Sequence, residues 1–418
     1  MKKFSHKFTK EEKASWALFI CAWFVYAIIS MAKNTYSSAI ASITAEGFFG
    51  KSAAGIINGG FYLFYGGAQL LGMKFLDKIS PAKMITASLA GVIVSCVGMI
   101  FAKSFVSMLL LWSFCGLVQF SVWPAILRII AEYVLPEHQN RAKVYISFSY
   151  CAGMFLTYFM ASVILKYARW RMLFAATAVI VGIFAILWVV AVKNTEPVLK
   201  RCERKAEKKE NKQTQSMGFM KMMLFSGLVL LLIPNFARSC LDLGVKSWVP
   251  TMITELYGVS ASAASVLTTV VVFINLAGIF IAGWMYPRFT KNLAWAYGLT
   301  FVVSLPITAL LLLTGKINVV LVVIFLAVIT TMMYAGHQFI NVLIPSYFAK
   351  YNRAGAAAAF LNAIASFGIV ISNIGYGYLA ENYGWSATIW SWVIIAAVGI
   401  IFCALAAPLW QKFTEKKE

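Results

Sequence analysis

The sequence has 418 residues, of which 61% are hydrophobic and only 12% are charged. A soluble domain carries about 25% charged residues, so this composition excludes an ordinary soluble enzyme or binding module and points to a chain solvated by lipid. The net charge of +21 raises nucleic acid as a partner, but the positions of the cations argue against it.

Uncharged runs mark the predicted elements. In chain order they are 14–32, 52–73, 84–102, 104–127, 144–165, 172–192, 222–237, 256–287, 292–315, 317–349, 354–380 and 382–411. A spanning helix needs about 20 apolar residues. Eleven of the twelve runs have at least 19 residues, and the seventh, with 16, runs straight into Arg238. Barrel strands of about 10 residues do not give such runs. Backbone polar groups in lipid must be satisfied within the segment, so the runs predict helices. The expected fold is therefore an all-α membrane protein with twelve transmembrane helices. The first run is too long for a signal-peptide core and lacks a small-residue cleavage pattern, so no cleaved signal is expected.

Sorting the 36 Lys and Arg with the N-terminus inside puts 26 on the cytoplasmic side, six outside and four within spans. That is the positive-inside bias. It predicts a multi-pass protein of the plasma (inner) membrane with both termini cytoplasmic. The basic charge then reports topology, and no nucleic-acid partner is expected.

A charged stretch, "KRCERKAEKKENKQTQ", separates spans 1–6 from spans 7–12. The expected organisation is a six-helix half over 1–192, a cytoplasmic linker over 193–221 and a second half over 222–418. Mixed charge runs usually stay solvated, so the linker reads as a tether. The halves look related. "SAAG" at 52–55 returns as "SAAS" at 262–265, "NRA" at 140–142 returns at 352–354, and Trp170 matches Trp385. These offsets of 210 to 215 residues support parallel repeats with a substrate site between them at the membrane midplane.

Ionisable side chains inside spans are costly and are functional candidates by default. Span 1 holds Lys33 in "SMAKNTYSS", with Asn34 and Tyr36 beside it. Span 2 carries Tyr62, Tyr65 and Gln69, and the loop after it holds Asp77 and Lys78. Span 4 holds Arg128 and Glu132 in "WPAILRIIAEY", behind Trp123, and span 5 holds Tyr150. Span 7 holds Asn235, Arg238, Asp242 and Lys246, the three charges aligned on one face at four-residue intervals. Span 10 holds His337 and Asn341 in "YAGHQFIN".

Lys33 and Asp242 lie at similar depths, which predicts an ion pair across the cavity that a substrate can break. The competing reading pairs Asp242 only within its own helix, with Lys246 or Arg238. Lys246 lies nearer the outer end, where a lysine can snorkel to the interface. Arg128 and Glu132 are expected to pair and latch the inner gate. His337 can carry a proton or pack as a hydrogen-bonded histidine. The aromatic residues can line a site or simply pack.

The seven cysteines are scattered, with no CxxC, so no disulfide framework or zinc site is expected. No phosphate loop, HExxH or GxSxG in a strand–helix context is present, so an ATP-driven pump or a membrane hydrolase gains no support. No cofactor is expected.

At these residues the chain resembles the major facilitator superfamily. Within it, the chain is similar to the organophosphate:phosphate antiporter family, which carries glycerol phosphate and hexose phosphates. The stretches that carry the resemblance include "AKN" at 32–34, "YGGAQ" at 65–69, "DKISP" at 77–81, "WPAILR" at 123–128, "LGVKSWVPTMI" at 243–253 and "RAGAAAAFLNAIASFG" at 353–368. The superfamily's loop signature survives only as Asp77-Lys78, with the glycine one place early at Gly72. The resemblance implies a two-half secondary transporter.

The departures are informative. The family's span 1 Arg-Lys-Asn is Ala32-Lys33-Asn34 here. Its span 7 arginine falls on Asp242, a pocket lysine falls on Gln69, and the acid that pairs with the span 1 lysine falls on Ser247. In that family paired arginines hold the phosphate, as bidentate geometry favours. Their replacement predicts a monoanion, zwitterion or polar neutral solute in place of a phosphate dianion. The expected partners are a small-molecule substrate, protons or a counter-transported anion, and membrane lipid, with the chain acting as a monomer. Two readings stay beside this one: retained organophosphate antiport using Lys33 and Arg238, and a transporter-like membrane sensor of a sugar phosphate.

Overall fold

The computed structural model describes residues 9–76, 79–134, 136–206, 219–314, 318–348 and 354–415. Twelve long helices account for most of them. The first six are α1 (Lys10–Ala45), α2 (Lys51–Leu76), α3 (Pro81–Phe101), α4 (Phe105–Tyr133), α5 (Pro136–Tyr167) and α6 (Arg171–Ala206). The second six are α7 (Leu228–Tyr257), α8 (Ala261–Tyr286), α9 (Leu293–Thr314), α10 (Val319–Tyr347), α11 (Ala354–Asn382) and α12 (Gly384–Glu415). Eleven of the twelve uncharged runs fall mainly on one of these helices each, and the seventh is divided between a short helix and α7.

Among the described residues, eleven helices are long and apolar enough to cross a membrane. The remaining one, α2, has 26 residues, enough to span at 1.5 Å per residue. Its glycines, Asn58 and Gln69 dilute its apolar character. Helix α6 continues to Ala206, into the stretch expected as linker. The seventh run is not continuous. A short helix over Phe219–Phe225 stops at Gly227, whose φ of 70° is left-handed, and α7 starts after it. Such a φ suits only glycine without strain.

Prolines shape the helices near the middle of the bundle. Pro124 cannot donate to the carbonyl of Phe120, and α4 is interrupted at Phe120–Ser121. Helices α7 and α10 each contain a π-helical turn, over Cys240–Gly244 and Gln338–Leu343. Such turns recur at functional sites. Asp242 sits in the first and Asn341 in the second.

The halves meet chiefly through α2 against α11 and α5 against α8, with α1 against the later part of α7. The α2–α11 seam is close because it is glycine-lined. A Cβ at Gly55 would collide with the carbonyl of Asn373, and one at Gly377 would press on the carbonyl of Lys51 and the ring of Trp248. Helices without a hydrophobic drive between them associate through such small residues. Bonds between the halves cluster towards the Lys51 end of this seam. Lys51 pairs with Glu255 at 2.9 Å, and Glu255 also accepts from Trp385 at 2.8 Å. Glu381 accepts from the amide of Ser52, and Ser262 donates to the carbonyl of Ser162. The molecule is closed at that end.

Gly55→Ala is expected to force α2 away from α11 and to lower the melting temperature by an amount equivalent to about 1–3 kcal/mol, the usual cost of overpacking. Gly67→Ala, where a Cβ meets nothing within 4 Å, is expected to melt like the parent. Equal melting of the two variants in a thermal-shift assay would contradict the close seam.

Candidate substrate site

Lys33 projects from the middle of α1 with no carboxylate beside it among the described residues. Its ammonium lies 4.0 Å from the ring centroid of Tyr65, 5.1 Å from that of Tyr62 and 6.0 Å from that of Phe61, all on α2. Aromatic faces attract a desolvated cation by about 2 kcal/mol. That holds Lys33 in place. A small cavity opens beside it, lined by residues that include Tyr26, Ser30, Tyr65, Gln119, Trp123 and Tyr150. Its volume is about 20 Å³, room for about one water.

On α7 the charges form a row. Asp242 is bonded to Lys246 and lies 3.4 Å from the guanidinium of Arg238. All three are at most 4% exposed. A buried charge is costly unless a partner answers it, and here one acid serves two cations. The expected Lys33–Asp242 pair is not formed. Four-residue spacing on one helix gives Asp242 two nearer partners, and the aromatic face of α2 takes up Lys33. Lys246 does not snorkel: its ammonium turns inwards to Asp242, and its aliphatic stem is buried. Its ammonium also lies 5.7 Å from the ring centroid of Tyr334.

Pro250 leaves the carbonyl of Lys246 without its helical amide. Tyr158 of α5 supplies the missing donor across the halves, at 3.0 Å. This bond anchors the charged row of α7 to the first half.

The α10 residues close the other side of the row. Asn341 Nδ2 lies 3.1 Å from His337 Nδ1 and 3.5 Å from Asn235 Oδ1. Asn235 Oδ1 also accepts from Arg238 Nε at 3.4 Å. His337 stacks on Tyr334 at 6.0 Å. It therefore sits in a hydrogen-bonded, stacked niche and is close enough to feel the charges of Arg238 and Lys246.

The other sequence candidates separate clearly. Gln69 accepts from Asn362 of α11 at 2.7 Å, so it joins the halves. Asn34 turns back onto its own helix, donating to the carbonyl of Ser30 at 2.8 Å. Tyr36 packs on Trp112 inside the first half. Arg128 pairs with Glu132 at 2.8 Å and donates to the carbonyl of Ile79, tying α4 to the segment before α3. Both those partners lie in the first half. Asp77 and Lys78 lie outside the described residues. Sequence inspection missed Tyr26, Ser30, Gln119, Tyr158 and Tyr334, because it ranked residues by charge and these are neutral.

Four polar atoms around this centre have no hydrogen-bond partner: the hydroxyls of Tyr62 and Tyr150, Gln119 Oε1 and Asn341 Oδ1. Tyr62 and Tyr150 both lie close enough to Asp242 to feel its charge. A buried unpaired polar atom costs about 1–3 kcal/mol, so these atoms favour a hydroxyl-bearing ligand. Three cations and one acid around them favour an anion.

Residues 22–360 match the model of the Major Facilitator Superfamily. The chain belongs to that superfamily. It is similar to the D-galactonate transporter of Escherichia coli O6:H1, with 23% identity covering 87% of this chain and 88% of the relative. It is also similar to the glycerol-3-phosphate transporter of Bacillus subtilis, with 21% identity covering 93% and 91%. Among solved structures, a bacterial homolog of the human lysosomal transporter Spinster, in an inward-facing and occupied conformation, superposes with a TM-score of 0.72 at 15% identity. That match covers 98% of each chain and shows a shared fold. The superfamily member described here is a multi-pass secondary transporter and not an enzyme.

Tyr158→Phe is expected to leave the Lys246 carbonyl unpaired and to cost about 1–3 kcal/mol. In a Pro250→Ala background, which restores the helical amide, the same change should cost much less. Thermal melting of the four proteins in this cycle checks it; additive effects would contradict the assigned bond.

Proposed function

We propose that the protein carries a small hydroxylated organic anion, with a sugar acid as the model substrate, and couples its movement to protons. The observation that supports this best is Lys33, a cation in the bundle centre with rings around it and no acid beside it. Such a group is ready to receive a carboxylate. The partnerless hydroxyls and amide oxygens nearby suit the substrate's hydroxyls. The D-galactonate relative supports the same class.

In this reading Asp242 is the coupling group. Among the described residues it is the one acid in the middle of a span; Glu46, Glu132, Glu255 and Glu381 lie at or near helix ends. Protonation of Asp242 would release Arg238 and Lys246 towards the anion, and its deprotonation would draw them back. The two halves, bounded as 1–192 and 222–418, then rock about the site. The orientation remains that of the positive-inside bias, in a plasma membrane, with the Lys51 end outside.

The second reading is antiport of an organophosphate for phosphate. Similarity to the glycerol-3-phosphate transporter favours it, and Lys33 with Arg238 would bind the phosphoryl group.

Uptake into proteoliposomes separates the two. An inside-alkaline gradient should drive accumulation of D-galactonate. Lys33→Ala should weaken its apparent affinity by about 10- to 150-fold, the value of a charge-assisted hydrogen bond. Asp242→Asn should abolish accumulation driven by the gradient yet keep substrate exchange at equilibrium. Glycerol 3-phosphate uptake that requires phosphate-loaded vesicles and ignores the proton gradient would replace the first reading with the second.

A further inference from the structure

A buried, uncharged hydrogen-bond network crosses the seam between Lys33 and the closed end. Asn58 of α2 donates to Asn373 Oδ1 of α11 at 2.7 Å and to Ser37 Oγ of α1 at 3.1 Å. Ser37 in turn donates to Ser247 Oγ of α7 at 3.4 Å. Trp112 Nε1 approaches Asn58 Oδ1 at 3.4 Å. Asn58, Asn373 and Ser37 are fully buried, and Ser247 is 3% exposed.

The network's placement is specific. Ser37 lies one helical turn beyond Lys33 on α1. Ser247 directly follows Lys246 on α7. Asn58 lies about 10 Å from the start of α2, at 1.5 Å per residue, so the network sits beneath the Lys51–Glu255 pair. That outer pair is solvent-accessible, with side chains 17% and 36% exposed, and exposed pairs contribute little. The Asn58–Asn373 pair is dry, where an amide bond is stronger and an unmade one more costly.

We propose that Asn58 and Asn373 are the positioning residues of the gate at the Lys51 end, and that Ser37 and Ser247 link this gate to the charged site. The pair holds the halves shut above Lys33, and opening requires it to part. Movement of α1 or α7 on binding at Lys33 or the Asp242 row shifts Ser37 or Ser247 and so loosens the pair. The gate does not depend on which solute is carried or on proton coupling.

An asymmetry in amide chemistry gives the test. Removing one partner strands a buried polar group, whereas replacing both by apolar side chains of similar shape is close to neutral. Hydrogen–deuterium exchange of the purified, substrate-free protein would be read in peptides covering 51–60 and 368–382. Asn373→Leu and Asn58→Leu alone should each raise exchange there several-fold, with α3 and α9 unchanged. The double variant Asn58→Leu/Asn373→Leu should protect these peptides better than either single variant, though short of the parent because Trp112 Nε1 still loses Asn58 Oδ1. Parental exchange in both single variants would overturn the gate. So would a uniform rise across all helices with a lower melting temperature, or a double variant no better protected than either single one. None of these readouts uses a substrate, so a failed uptake prediction leaves them intact.

Discussion

A charge in the middle of a membrane protein must be answered by another charge, a ring face or water. The row Arg238–Asp242–Lys246 meets that constraint on a single helix. Once Asp242 is occupied on both sides, Lys33 is left to the rings of α2. The result is a centre in which one acid holds two of the basic side chains and ring faces hold the third.

The same centre is tied to the interface between the halves. Pro250 frees the carbonyl of Lys246, and Tyr158 takes it up from the opposite half. The π-turns around Asp242 and Asn341 lie in α7 and α10. Irregular backbone is tolerated at this depth only where protein surrounds it. The first π-turn is largely buried, with Asp242 at 4% exposure, and the second buries Phe339 and Ile340. Helix distortion, charge and inter-half contact therefore converge on one region, and a change in any of them reaches the others.

Closure at the Lys51 end has a different physical character. It rests on shape and on neutral hydrogen bonds. Gly55 and Gly377 let backbone meet backbone, and Asn58 meets Asn373 within that contact. Neutral amides can part and re-form at lower cost than buried ions, which suits a surface that opens on every cycle. The ionic pair Lys51–Glu255 lies farther out, where water can replace each partner.

What the sequence determined by itself was the number and nature of the helices. Lipid demands long apolar runs, and such runs are countable; the boundaries that differ flank the linker, where α6 runs on to Ala206 and a short helix from Phe219 ends before Gly227 and its positive φ. The list of intramembrane charges was equally legible, because a charge in lipid is conspicuous by its cost. The tertiary structure decided the pairing. Lys33 and Asp242 lie at matching depths in the sequence, but depth does not say which neighbour is nearer, and rings of α2 are invisible to a charge count. Tyr158, Gln119, Asn58 and Asn373 are neutral residues in apolar runs, and nothing in one dimension sets them apart. Their roles arise from being buried opposite a particular carbonyl, amide or hydroxyl, and only packing of one half against the other creates that proximity.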